Sequence, residues 1–65
     1  MLKQTLERHA KALAERNGTS VEKAIREIRD NPGLIVEKLR LDDYKPLDVE
    51  LWATDWLARG VKGLT

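Results

Sequence analysis

Punctuation constrains this chain more than any other feature. Asn17-Gly18, Asp30-Asn31-Pro32-Gly33, the polar run Asp42-Asp43-Tyr44-Lys45-Pro46 and Arg59-Gly60 divide sixty-five residues into four segments. Glycine takes the left-handed conformation that closes a helix, and a residue before proline is steered out of the helical region. Between these breaks apolar residues recur at intervals of three and four, which is the period of helices rather than strands. The expected architecture is therefore all-α, a small three- to four-helix bundle in one domain, with helices at about 2–16, 20–29, 32–41 and 47–59.

Each segment carries its own face. In the first, Leu2, Leu6, His9 and Leu13 share a stripe, with Lys3, Glu7, Lys11 and Glu15 directed away. Thr19 and Glu22 have the spacing of a T-x-x-E capping box at the start of the second helix, worth about 1 kcal/mol for the Thr19 cap. That helix buries Val21, Ala24, Ile25 and Ile28, while Lys23 and Arg26 face outward. Asn31 is placed to cap the third helix, with Pro32 at its first position. The third helix buries some of Leu34, Ile35, Leu39 and Leu41. The fourth is apolar on two sides: Val49, Trp52, Ala53, Trp56 and Leu57 on one, Leu47, Leu51 and Ala58 on the other. A helix of that kind needs two surfaces to pack against, so the second stripe is covered either by the first helix or by a partner. Trp56 reads as core. Trp52, at the edge of its stripe, reads as either core or contact.

Several functions are excluded by what is missing. The chain has no cysteine and one histidine, His9, which removes disulfides, thiolate metal sites and any histidine cluster, so no metal or cofactor is expected. His9 reads as packed or hydrogen-bonded at the border of its stripe. No serine sits in a nucleophile motif, and so small a domain lacks room for an enclosed pocket, so neither an enzyme nor a small-molecule substrate is expected. Asp42-Asp43 lacks calcium-loop spacing and reads as a solvated turn. No apolar run exceeds three residues, the length of Leu34-Ile35-Val36, too short for a membrane span. With no signal peptide at the start, a cytoplasmic location is expected.

Charge is divided unevenly. Residues 1–40 hold nine Lys/Arg against six Asp/Glu, a balance of +3, and residues 41–65 hold three against five, a balance of −2. A polyanion would prefer the first half. The candidate phosphate contacts are Lys23, Arg26, Arg29, Lys38, Arg40 and Lys45, although Glu22, Glu27 and Glu37 interleave with them. The candidate protein contacts are Leu47, Leu51, Trp52, Asp55 and Ala58.

The stretch Val21–Val61 resembles the core of a helix-turn-helix domain in its winged-helix version. The resemblance rests on Ile25-Arg26-Glu27-Ile28-Arg29-Asp30-Asn31-Pro32-Gly33, a helix ending in an Asn-Pro-Gly turn, followed by Leu34-Ile35-Val36-Glu37-Lys38-Leu39. Val49, Ala53, Trp56, Gly60 and Val61 then have the spacing of a recognition helix closing on glycine. It implies a tri-helical core and DNA binding. Three features depart from the pattern. The connection Asp42–Lys45 lacks the usual small-residue turn. Five residues after Gly60 leave no length for a β-hairpin wing. The recognition position carries Asp48, Glu50 and Asp55 against Arg59 alone, where base-reading helices use Arg, Lys, Asn or Gln. A second stretch, Ala12–Val21 with Ala24-Ile25, resembles the helix pair of ribbon-helix-helix repressors, without the preceding strand that reads DNA.

The function expected is that of a small non-enzymatic regulator of helix-turn-helix type that binds DNA. The alternative is a protein-interaction module, self-associating as a homodimer or docking on a larger protein through the fourth helix.

Overall fold

Helix endings organise the molecule. In the computed structural model, which describes residues 2–61 apart from the Leu2 side chain, the chain forms α1 (Leu2–Asn17), α2 (Val21–Asp30), α3 (Pro32–Lys38) and α4 (Pro46–Ala58). The fold is all-α, with no strand among the described residues.

Three of the helices close in the same way. After α1, Gly18 turns left-handed at φ 64°, its N–H donates to the Glu15 carbonyl, and the Thr19 N–H reaches back to Ala14. After α4, Gly60 at φ 68° donates to Leu57 and Val61 to Trp56. These paired bonds are the Schellman arrangement, which satisfies carbonyls that a helix end leaves open. α3 ends likewise, with Arg40 in the glycine position at φ 54°. The Arg40 N–H donates to Glu37 and that of Leu41 to Val36. This is why α3 stops at Lys38 rather than continuing to Leu41 as expected. The left-handed residue turns the chain back and returns Leu41 to the core, where it packs half-buried.

The helix starts correct two expectations. Ser20, not Thr19, caps α2: its backbone is extended at φ −77°, ψ 158°, and its hydroxyl oxygen accepts from the Lys23 N–H at 3.1 Å. Asn31 precedes α3, but its side chain serves the helix behind it, donating from Nδ2 to the Glu27 carbonyl at 3.3 Å. The Asn31 backbone N–H reaches the same carbonyl at 3.1 Å. Pro32 does occupy the first turn of α3. α4 begins at Pro46, one residue earlier than expected, and the Asp48 carboxylate accepts from the Lys45 N–H at 2.9 Å.

α2 is the central element and touches all three others. Its contact with α4 is the most extensive, followed by that with α1, while α3 packs mainly on α4. The core joins Leu6, Ala10 and Ala14 of α1, Ala24, Ile25 and Ile28 of α2, Ile35 of α3, and Val49, Trp52 and Ala53 of α4. Leu6, Ile25, Ile28 and Val49 are the largest fully buried side chains, and each contributes about 1.5–3 kcal/mol relative to exposure. In α1 the buried line is Leu6–Ala10–Ala14, rotated from the expected stripe, and His9 and Leu13 lie half-buried beside it. The expected role of the Leu2 side chain lies outside the described residues. Ala10 and Ala14 on α1 and Ala24 on α2 are all buried, and small side chains at a helix contact permit a short interaxial distance.

Candidate functional site

α4 positions the surface of interest. Its inward residues are spent: Val49, Trp52 and Ala53 are buried, and Trp56 and Leu57 pack against the same cluster. Leu47 and Leu51, on the opposite side, remain 59% and 58% exposed. α1 therefore does not cover the second stripe. Ala58, farther along, is also exposed.

Carboxylates flank these leucines. Asp48, Glu50 and Asp55 are all exposed. Asp55 pairs with Arg59, both side chains lying more than half in solvent. Arg59 in turn lies over the Trp56 ring, its guanidinium carbon 4.4 Å from the centroid. An open groove of about 530 Å³ lies beside Leu51, lined by Tyr44, Leu51 and Trp52, by the carboxylates Asp43, Asp48 and Asp55, and by Lys3 of α1. Tyr44 enters through the turn closed by its N–H donating to the Leu41 carbonyl at 3.1 Å. That turn carries Asp42 and Asp43 exposed at its centre, the solvated arrangement expected for them.

Of the two readings of Trp52, core and contact, the structure gives core. The residue is 8% exposed, and its buried indole Nε1 has no hydrogen-bond acceptor among the described residues. Trp56, expected to be the core ring, is the more accessible of the two tryptophans.

The six candidate phosphate contacts all lie outside the core, but not on one element. Lys23, Arg26 and Arg29 are on α2, Lys38 ends α3, Arg40 lies in the turn after it, and Lys45 precedes α4. Arg29 is half-buried and the other five are exposed. Arg26 bridges to Glu22 at 3.3 Å, and Arg29 to Asp30 at 3.5 Å. Two of the six cations are thus already partnered, in exposed pairs that contribute little stability.

A second depression, about 280 Å³, lies where α1 meets α2 and α3, and sequence reasoning did not find it. Leu13, Ile28, Leu34 and Ile35 form its apolar lining, with His9, Glu27 and Lys38 among its polar groups. Leu34 is 61% exposed. Burial lowers the His9 imidazole below its ordinary pKa, and the positive charges of Lys38 and then Arg16 push it the same way. No local pattern marks this site, because the adjacency of α1 and α3 exists only after folding.

Among the described residues no group of three His, Cys, Asp or Glu side chains is placed to hold a metal ion. Among the same residues, no helix is long and apolar enough to cross a membrane. Comparison with protein-family models, with curated proteins and with solved structures gives no match.

Proposed function

We propose that this protein is a small interaction module that docks on another protein through the outward face of α4. The carrying observation is the exposure of Leu47 and Leu51, 59% and 58%, on a helix whose inward face already supplies Val49, Trp52 and Ala53 to the core. Side chains a turn apart on a helix form one contiguous ridge, the form in which helical anchors enter a partner's surface.

Selection of peptides from a displayed random library on the immobilised protein, counter-selected with the Leu51→Asp variant, tests this reading. Peptides that bind the native protein and weaken about tenfold or more on Leu47→Asp or Leu51→Asp are expected, with the helical circular dichroism unchanged. Peptides indifferent to both substitutions overturn the reading, and so does loss of the fold, which would make that face core.

A second reading, a DNA-binding regulator of helix-turn-helix type, is favoured by the outward position of Lys23, Arg26, Lys38, Arg40 and Lys45. It requires approach along α2 and the α3 end, since the exposed carboxylates Asp48, Glu50 and Asp55 would repel phosphate from α4. Titration of a fluorescent duplex across salt concentrations separates the two readings. Binding that falls with log salt and with Lys23→Ala and Lys38→Ala supports DNA, and no binding at low salt rejects it.

A further inference from the structure

We propose that the groove beside Leu51 receives a cationic amphipathic helix of another protein, with an apolar anchor resting on Leu51 and Tyr44 and basic side chains meeting Asp43, Asp48 and Asp55. This rests on the docking role of α4 and names the chemistry of its partner. Three carboxylates and one ammonium, Lys3, line the groove, so a desolvated neutral or acidic segment would leave negative charge unmatched there.

Each carboxylate has capacity for a partner. Asp43 forms no ion pair among the described residues. One oxygen of Asp48 takes the Lys45 N–H, and a carboxylate accepts further bonds. Among the described residues Asp55 is ion-paired with Arg59 alone, in an exposed pair, and an incoming guanidinium or ammonium can exchange with such a pair at little cost.

Spacing selects a helix. Asp48 and Asp55 stand seven residues apart on α4, about 10.5 Å along the axis at 1.5 Å per residue, with Leu51 between them. A partner helix with Lys or Arg at positions i and i+7 and Leu at i+3 or i+4 reproduces that order in either direction.

A second copy of this chain fits poorly. Symmetric pairing through α4 would set the acidic face of one copy, Asp48, Glu50 and Asp55, against the same acidic face of the other. The cationic face of α2 offers no apolar anchor, because Ala24, Ile25 and Ile28 all point into the core. Leu34 on α3 is exposed, but Glu37 adjoins Lys38 there and leaves no net positive charge.

The test uses two synthetic peptides of about fifteen residues, long enough to hold a helical turn pattern. One carries Leu at the central anchor and Lys/Arg at i and i+7, and in the other Glu replaces those cations. Calorimetric titration of the native protein should show binding of the basic peptide, weakened by salt, and none of the acidic one. Asp43→Asn with Asp55→Asn should weaken the basic peptide about tenfold while leaving the helical signal intact. Equal binding of both peptides overturns the proposal, as does no binding, or binding indifferent to the two Asn substitutions. If library-selected peptides depend on Leu51 yet are neutral or acidic, the docking face stands and the proposed charge of its partner is wrong. If no Leu51-dependent peptide is recovered, both fail.

Discussion

The Arg59 guanidinium stacks on the Trp56 ring, 4.4 Å from its centroid, while the same group bonds the Asp55 carboxylate one turn back. One side chain thus covers the accessible face of a half-buried indole at the end of α4. A cation over an exposed ring is worth about 0.5–1 kcal/mol, and an exposed i,i+4 ion pair adds roughly 0.3–0.5 kcal/mol. Arg59→Ala should therefore lower unfolding free energy by about 1 kcal/mol. Asp55→Ala should lower it by less, since the stacking survives. Urea titration of both variants gives the comparison.

Ser20 and Thr19 separate cleanly as cap and neighbour. Ser20→Ala should cost about 1 kcal/mol, because the Lys23 N–H loses its acceptor. Thr19→Ala should be close to neutral for the start of α2. The reverse order in thermal or urea unfolding would restore the Thr19–Glu22 box.

Arg40 occupies a backbone region that costs an L side chain about 1–2 kcal/mol. Glycine there removes that strain but gives the unfolded chain more freedom to lose, roughly 0.5–1 kcal/mol. Arg40→Gly should stabilise the protein by about 0.5–1 kcal/mol net. Gly18→Ala, which places a side chain at φ 64°, should destabilise it by about 1 kcal/mol.

His9 gives stability a pH dependence of defined sign. Burial, with Lys38 and Arg16, lowers its folded pKa, so just below the unfolded value the unfolded chain binds the proton more readily. Stability then rises with pH in the window between the folded value and about 6.5, and is fully present above it. The melting temperature should fall as pH drops from about 7.5 to 5. His9→Gln should remove its share of that slope, and an unchanged slope would show that the imidazole contributes none.

Val49 and Leu51 lie two residues apart on α4 and face opposite ways. Val49→Ala removes fully buried methyl groups and should cost about 1–3 kcal/mol. Leu51→Ala should fall within about 0.5 kcal/mol of native, as expected for a surface change. Equal losses would mean that Leu51 is covered in solution.

The sequence carries angular position around a helix better than position along it. Val49, Ala53 and Trp56 share one side of α4 by period, yet Trp56, in the last turn, is only half-buried, and Trp52 in mid-helix is buried. In α1 the leucines outweigh alanine in hydrophobicity, yet the buried line runs through Ala10 and Ala14, and no single-helix pattern encodes which face a neighbour will meet. Thr19 and Ser20 both carry cap-competent hydroxyls, and only the backbone dihedrals distinguish them. The two-sided apolarity of α4 was readable because nothing tertiary was needed to see it. The groove beside Leu51 was not, since Lys3, Asp43 and Tyr44 are brought to α4 by folding.

Asn31 belongs to two helices at once, receiving the end of α2 and accepting the first bond of α3 from the Ile35 N–H at 3.2 Å. With one residue at the elbow, α3 has little slack in which to swing, and Asn31 itself is tied to the end of α2 by two bonds to the Glu27 carbonyl. A push delivered at Leu34 is therefore passed to the final turn of α2, the helix that touches all three others. The joint behaves as a lever rather than a tether.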